Sequence, residues 1–161
     1  MNIDAVIRPY QPEDWPAMDE IVRKIWRIGA SYVREKQYGF QLEGKPWDDH
    51  KTEGLRREVE AQSQNWFVTE VGGRVIGFCS LHITSDARIG IVGQNGLHPD
   101  FKGRGYGSLQ LRFILDELRR RGAVIAEVTT GLDEGHAAAR KLYERAGFKP
   151  LIESRVYTMH L

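Results

Sequence analysis

The stretch HPDFKGRGYGSLQ, residues 98–110, combines alternating glycines with two cations: Gly103, Gly105, Gly107, Lys102 and Arg104. Glycine permits positive φ and lets a backbone approach a ligand without a Cβ clash. An apolar stripe follows at once and predicts a helix over residues 106–121. The first N–H groups of a helix lack intrahelical partners and carry partial positive charge. The stretch therefore predicts an anion site that suits a pyrophosphate.

A tight strand-to-helix turn with solvated cations is the alternative explanation of these glycines. A dinucleotide-binding fingerprint fails, because its third glycine would fall on Ser108, and no P-loop sequence is present. The acidic residue of such a fingerprint would be Glu127, which lies inside a predicted strand rather than at its end. Glycines, cations and an abrupt helix start occur together here, and this combination favours a phosphate site over a simple turn.

Hydrophobic periodicity predicts alternating strands and helices along the rest of the chain. Strands are predicted at residues 5–10, 65–71, 74–84, 87–97 and 123–130, with one or two more in the tail around Glu153 and Ser154. Helices are predicted at residues 13–28, shortly after residue 31, and at 48–63, 106–121 and 135–147. Hairpin-linked strands followed by strand–helix crossovers predict an α+β fold of three layers, α/β/α, with a mixed central sheet. Because the composition shows no break, residues 1–161 are expected to form a single domain.

The composition excludes several classes of protein. The 161 residues carry 23 Lys and Arg against 22 Asp and Glu, which gives no electrostatic case for nucleic acid or a membrane surface. No run of apolar residues is long enough to span a membrane, and the N-terminus shows no apolar leader, so neither a membrane span nor a signal peptide is expected. Cys79 is the only cysteine, so no internal disulfide forms and a cytoplasmic location is expected. The five histidines show no zinc-site spacing, so no metal is expected.

Two stretches resemble the signatures of the GCN5-related N-acetyltransferase (GNAT) superfamily. LHPDFKGRGYG, residues 97–107, is similar to its Q/R-x-x-G-x-G/A loop, with Lys102 in the place of Gln or Arg. HAAARKLYERAGF, residues 136–148, is similar to its N-x-x-A-x-x-L-Y-E-x-x-G-F stretch, with His136 in the place of Asn. The resemblance implies a mostly antiparallel sheet that splays between strands 4 and 5, and acetyl-CoA as the acetyl donor.

The resemblance also implies which residues contact the donor. The implied cofactor-binding residues come from both stretches: Leu97, His98, Lys102, Gly103, Arg104, Gly105, Tyr106, Gly107, Ser108, His136 and Tyr143. The Leu97 backbone N–H is implied to meet the thioester carbonyl, and Gly93 and Gly96 indicate a bulge or close backbone approach in the same strand. Tyr143 matches the general acid, although it also lies on an apolar helix stripe that is typical of core. His136 either contacts the pantetheine or starts the helix.

A general base is harder to assign from the sequence. GNAT enzymes often use a glutamate on the fourth strand, but no carboxylate lies between Ile89 and Leu97. His82 and Glu127 are weak candidates, and a polar residue at the edge of the core is the alternative for both. The base is therefore unassigned.

The acceptor region by resemblance spans residues 26–50. Its candidate substrate residues are aromatic: Trp26, Tyr32, Tyr38 and Trp47. His82, from the predicted strand at residues 74–84, is a further candidate. Aromatic rings with nearby Asp48 and Asp49 suit a cationic amine, while core packing and helix capping are the alternatives. Peptide amines, polyamines, amino sugars and amino acids all stay open.

These observations together predict an acetyl-CoA-dependent N-acetyltransferase that acts on a primary amine of a small molecule or peptide, by direct transfer in a ternary complex. Two alternatives stay open: a non-catalytic acyl-CoA-binding module, and an acyltransferase that uses a longer acyl-CoA or acylates a hydroxyl. Strand pairing at an exposed sheet edge makes a homodimer a further expectation.

Overall fold

The computed structural model describes residues 4–27, 29–86 and 88–161, in two compact units that meet in the chain at Thr129 and Thr130. The first unit contains these elements: β1 (Val6–Pro9), α1 (Trp15–Ile25), α2 (Ala30–Tyr38), α3 (Trp47–Ala61), β2 (Trp66–Val71), β3 (Arg74–Ile83), β4 (Ile89–Leu97), α4 (Tyr106–Arg120) and β5 (Ile125–Val128). The second contains α5 (Ala137–Arg145). That residues 1–161 form one domain stays a prediction.

Within the described residues, five strands form one sheet in the order β1-β2-β3-β4-β5. The first four pair antiparallel, and β4 pairs parallel to β5. The turn between β2 and β3 has positive φ at Gly72 (55°) and Gly73 (77°), as a two-residue hairpin of strongly twisted strands requires. The predicted mixed, mostly antiparallel sheet is therefore confirmed.

Helices cover both faces of this sheet. Neighbouring residues of β3 point to opposite faces, so their contacts show which helices lie on each face. Phe78 packs into the main core with side chains of α1, α3 and β2: Met18, Ile21, Val22, Leu55, Val59, Trp66 and Val68. A Cβ placed on the preceding residue, Gly77, would meet Gln110 of α4. The three layers of the first unit are thus α1 with α3, the sheet, and α4.

The β4–β5 pairing covers only the first part of β4. Registered pairs run from Ile89 with Ile125 to Val92 with Val128, and β5 ends there. Residues 93–97 of β4 continue to pair with β3. Consequently the β5 side of this half of β4 has no paired strand among the described residues, which agrees with the predicted splay.

The second unit corrects the predicted tail. A turn at Glu134–His136 precedes α5, and no strand is formed by the described residues 149–161. Apolar side chains that suggested a strand are strongly exposed there, with Ile152 at 87% and Tyr157 at 84%. A strand needs a partner for its ladder hydrogen bonds, and alternating apolar residues alone do not supply one. The prediction around Glu153 and Ser154 is therefore wrong.

The other elements match the prediction with small shifts of their bounds. The predicted first helix, residues 13–28, consists of a 3-10 turn at Pro12–Asp14 followed by α1. Ile28 at its predicted end and Ala87 at the predicted start of β4 lie outside the described residues.

Candidate active site

A β-bulge shapes β4 at the two glycines singled out in the sequence. Cys79 of β3 pairs with Asn95 and Leu81 with Val92, so β4 carries one extra residue there. A Cβ on Gly93 would lie 2.4 Å from Ser80 Oγ, which accepts a hydrogen bond from the Gln94 N–H at 2.8 Å. The predicted bulge and close approach are both present in this strand.

The Leu97 N–H points away from β3. The next residue, His98, donates its N–H to the carbonyl of Ile76 in β3 at 2.8 Å. Successive N–H groups of an antiparallel strand alternate between its two edges, so the Leu97 N–H faces the β5 side. Since β5 has already ended, this donor faces the gap beside the second half of β4.

The glycine-rich stretch presents a run of backbone donors directly after β4. Gly103 (φ 76°) and Gly105 (φ 88°) adopt left-handed conformations, and Gly105 is the N-cap of α4 without a side-chain capping bond. Among the described residues, no backbone carbonyl accepts from the N–H groups of residues 103–105. The N–H groups of residues 106–108 lie in the first turn of α4, where no intrahelical partner exists. Six consecutive donors are thus available to an anion.

Two arginines hold the turn before these donors. Phe101 belongs to a 3-10 turn, Pro99–Phe101, and its ring centroid lies 5.5 Å from the Arg74 guanidinium carbon and 5.4 Å from that of Arg104. Arg104 therefore lies beside the donors, and both Arg104 and Lys102 are exposed. These two basic residues precede the first turn of α4 in the chain.

The His98 ring contacts both α1 and the 3-10 turn that follows it in the chain. Its side chain is 3% exposed, and Nε2 lies 2.9 Å from Lys24 Nζ and 3.5 Å from Glu20 Oε1. The Nδ1 atom accepts from the Asp100 N–H at 3.3 Å. Both ring nitrogens thus have partners inside the protein, so His98 ties α1 to the loop, and its contact with the cofactor stays a prediction.

Tyr143 of the second unit is a buried residue of α5. Its side chain is 8% exposed, and its ring meets that of Phe148 edge to face, with centroids 5.8 Å apart. Burial raises the pKa of Tyr143. The buried ring has the features of a core side chain, and its role as the general acid stays a prediction.

In the turn before α5, the His136 side chain contacts Asp133, three residues earlier in the chain. His136 Nδ1 lies 2.6 Å from Asp133 Oδ2, and Arg140 donates to the carbonyls of Gly131 and Asp133 at 2.7 Å each. Burial alone raises the pKa of Asp133, but its contact with His136 outweighs this and lowers the pKa overall. His136 is the N-cap residue of α5 without a capping bond, and its ring is held by Asp133.

Both candidate bases lie at the other end of β4 from Leu97. His82 and Glu127 each pair with Ile91, on β3 and β5 respectively, and His82 is exposed. Ile91 precedes Leu97 by six residues of strand, or about 20 Å. Neither side chain lies beside the Leu97 N–H, so the base stays unassigned.

The aromatic residues of the acceptor region form two groups. Trp26 packs edge to face on Phe78 at 5.8 Å, and Lys51 Nζ lies 4.3 Å from its ring centroid. Burial lowers the pKa of Lys51. Tyr32 and Trp47 form an edge-to-face pair at 5.3 Å. Tyr38 is partly exposed at the end of α2, and His82 lies on β3, paired with Ile91 of β4.

The carboxylates near these rings already have a cation. Arg23 Nη1 lies 3.0 Å from Asp48 Oδ2 and 2.8 Å from Asp49 Oδ1. Lys51 and Arg23 were both absent from the sequence-based site, because each reaches its partners across the α1–α3 contact. The positive side chains of the protein itself therefore occupy part of the region predicted to attract an amine.

Among the described residues, no group of three or more His, Cys, Asp and Glu side chains is placed to hold a metal ion. None of the helices described is long and apolar enough to cross a membrane.

The fold and the loop together give a strand, β4, that is unpaired on one side of its second half and is followed by a glycine loop that opens a helix. The chain matches the sequence profile of the Acetyltransferase (GNAT) family over residues 15–148. This range includes β4, the glycine loop and Tyr143, and it covers most of the chain. The chain belongs to the Acetyltransferase (GNAT) family, and the resemblance predicted from its two motifs is confirmed.

Individual relatives agree with this membership. Mycothiol acetyltransferase of Thermobispora bispora is 28% identical over 129 residues, which are 71% of this chain and 43% of that protein. An N-acetyltransferase of Methanocaldococcus jannaschii is 27% identical over 96 residues, 56% of this chain and 42% of that protein. The chain therefore spans less than half the length of these two relatives.

A solved structure with coenzyme A has the same fold. The crystal structure of PaiA N-acetyltransferase from Thermoplasma acidophilum in complex with coenzyme A matches with a TM-score of 0.70 and 18% identity, over 91% of each chain. At this identity the likeness establishes the fold, which is the predicted α+β sheet flanked by helices.

Proposed function

We propose that the chain is an acetyl-CoA-dependent N-acetyltransferase that transfers the acetyl group directly to a primary amine of a small molecule or peptide within a ternary complex. The observation that carries this proposal is the run of six N–H groups at residues 103–108 that find no backbone acceptor within the described part of the chain, directly after a strand whose free edge carries the Leu97 N–H. Family membership supports the same reading.

The loop would hold the pyrophosphate of the donor. Backbone N–H groups and the positive end of α4 favour two adjacent phosphates, and Lys102 and Arg104 add charge at the rim. The unpaired side of residues 93–97 then offers backbone partners to the pantetheine arm.

Leu97 would polarise the thioester. Its N–H is aimed into the gap and is fixed by the adjacent His98–Ile76 ladder bond, so it donates to the thioester carbonyl without reorganisation. One such donor contributes about 10²- to 10³-fold to the rate of acyl transfer in other enzymes, because it stabilises the negative charge that develops on the oxygen.

Tyr143 would protonate the departing thiolate. A thiol has a reference pKa of about 8.5 and a tyrosine about 10, so the buried tyrosine is protonated when the thiolate leaves. Its raised pKa keeps it in that state through neutral pH. The amine must lose its proton, and because His82 and Glu127 lie at the other end of β4, we propose water as the first acceptor.

The acceptor, partners and location follow from weaker observations. Apolar or aromatic groups on the acceptor amine would suit the aromatic side chains of Trp26, Tyr32, Tyr38 and Trp47. Partners are a small-molecule or peptide amine, without nucleic acid or membrane, and a homodimer is an additional proposal. A cytoplasmic location is proposed from the single buried thiol, Cys79.

A non-catalytic acyl-CoA-binding module is the second candidate, and one observation favours it. Both predicted bases, His82 and Glu127, lie about 20 Å along β4 from Leu97, and β4 itself has no carboxylate. An acyltransferase that uses a longer acyl-CoA shares the loop and Tyr143, so acyl-chain length is a variable of the test.

The test measures release of free thiol from acetyl-CoA and longer acyl-CoAs against a panel of amines. We expect amine-dependent turnover that falls strongly in Tyr143→Phe while coenzyme A affinity is unchanged. Tyr157→Phe, in the exposed tail, is the matched control and should keep full activity. Binding of acetyl-CoA without turnover on any amine would replace the enzyme by the binding module.

A further inference from the structure

Gln110 is a fully buried polar residue on the face of α4 that packs on the sheet. Its exposure is 0%, and its buried neighbours on the helix are apolar: Leu111, Ile114 and Leu118. Burying an amide in an apolar site costs free energy unless it is hydrogen-bonded. An apolar residue would therefore be the simpler choice at this position, and the amide calls for an explanation.

The amide nitrogen of Gln110 contacts three strands. Nε2 donates to Thr69 Oγ1 at 2.9 Å, to the Gly96 carbonyl at 3.3 Å and to the Phe78 carbonyl at 3.4 Å. A Cβ on Gly77 would lie 2.6 Å from the same nitrogen. The missing side chain of Gly77 thus makes the room through which Gln110 reaches the backbone of β4.

The oxygen of the same amide is less well satisfied. Gln110 Oε1 is buried and has no hydrogen-bond partner among the described residues. Among the described residues, the amide therefore makes its hydrogen bonds through the nitrogen, and one of them reaches the Gly96 carbonyl of β4. This contact points to a role of the Gln110 N–H groups.

The Gly96 carbonyl and the Leu97 N–H belong to one peptide group. A hydrogen bond donated to the carbonyl draws electron density from the nitrogen of that group, so its N–H becomes a stronger donor. In the proposed function, that N–H is the group that meets the thioester carbonyl. Gln110 would therefore act on the thioester carbonyl through the Gly96–Leu97 peptide group, without touching the thioester.

We propose that Gln110 is a positioning residue that holds and polarises the Gly96–Leu97 peptide, so that the Leu97 N–H is a stronger and better fixed donor to the thioester. The inference rests on the proposed function. It also links the two parts of the site, because the helix that opens with the anion-binding loop reaches the strand that carries the carbonyl donor.

The first test uses the wild-type protein labelled with ¹³C and ¹⁵N. We expect a scalar coupling across the hydrogen bond between Gln110 Nε2 and the Gly96 carbonyl carbon in its NMR spectra. Absence of this coupling, with the amide group otherwise visible, would overturn the proposal without any variant. The measurement needs no acetyl-CoA, so it stands apart from the proposed function.

The second test compares Gln110→Met, which keeps the volume and removes the amide, with Thr69→Val, which removes the nearest of the three acceptors and leaves the Gly96 and Phe78 carbonyl contacts. We expect the Leu97 amide proton to shift upfield in Gln110→Met and to move much less in Thr69→Val. We also expect kcat to fall several-fold in Gln110→Met, since the Leu97 donor is weakened but not removed.

Ligand affinities separate this role from a structural one. Coenzyme A has no acetyl carbonyl, so its affinity should be the same in wild type and Gln110→Met, while acetyl-CoA should bind more weakly to the variant. Equal losses for both ligands would show that Gln110 only packs. If wild type neither binds nor transfers the acetyl group, the proposed function fails, and the Leu97 amide shift still decides whether Gln110 polarises this peptide.

Discussion

Gly96→Ala tests the close packing that fixes β4 beside Leu97. A Cβ at this position would lie 2.5 Å from Phe78 Cζ and 3.1 Å from Ile25 Cδ1. The Phe78 ring is fully buried in the main core and cannot swing into solvent. The added methyl group therefore forces the ring or the strand to move, which costs about 1–3 kcal/mol in a well-packed core.

Urea unfolding measures this cost. With a slope of about 1–3 kcal/mol per molar urea, Gly96→Ala should lower the midpoint by roughly 1 M. Gly54→Ala is the matched control, because a Cβ on this glycine of α3 meets nothing within 4 Å. We expect the control to gain about 0.5–1 kcal/mol, as alanine is the better helix residue.

A double-mutant cycle assigns the cost to the ring. Phe78→Leu removes the atoms that the new methyl group would meet, so Gly96→Ala should cost clearly less in that background. The same cost in both backgrounds, or a Gly96→Ala protein as stable as the Gly54→Ala control, would refute this account of β4.

Two further predictions concern the loop and the first turn of the fold. Gly105→Val should abolish coenzyme A binding in calorimetry. Gly122→Val is the control and should keep this binding, because the two glycines have nearly the same φ (88° and 90°) but lie at opposite ends of α4. If both variants lose affinity equally, the loss reflects helix strain. Asp14→Asn should cost about 1–3 kcal/mol in urea unfolding, because Arg8 donates to both carboxylate oxygens at 2.8 Å. Burial raises the pKa of Asp14, but the Arg8 and Gln11 hydrogen bonds lower it below its usual 3.8. Its contribution is therefore full above about pH 4 and lost below, so the wild type and Asp14→Asn should converge in stability in acid; a constant difference would contradict this.

The sequence predicted the order of elements, the glycine loop and the bulge in β4 because these depend on local patterns. Alternating apolar residues, a two-glycine hairpin and glycines before an apolar helix each constrain the backbone within a few residues. The tail was predicted wrongly for the same reason: residues 149–161 have the apolar pattern of a strand, but a strand also requires a partner that local sequence does not reveal.

The surroundings of several site residues depend on contacts between positions that are far apart in the chain, which the sequence does not show. His98 looked like a cofactor contact from its place in the motif, yet its ring meets Lys24, 74 positions away in the chain. Gln110 was overlooked, although a polar residue beside an apolar helix stripe was visible in the sequence. The strand register pairs both His82 and Glu127 with Ile91, a relation between distant positions that the sequence alone does not give.

The measurement that tests the central claim most directly is the melting temperature with and without millimolar acetyl-CoA. Ligand at 100 times its Kd stabilises a folded protein by about 2.7 kcal/mol, which gives a clear upward shift. We predict this shift with acetyl-CoA and with coenzyme A, and none with NAD or ATP. An unchanged melting temperature with acetyl-CoA, or an equal shift with all four ligands, would contradict the assignment of the loop as a coenzyme A site.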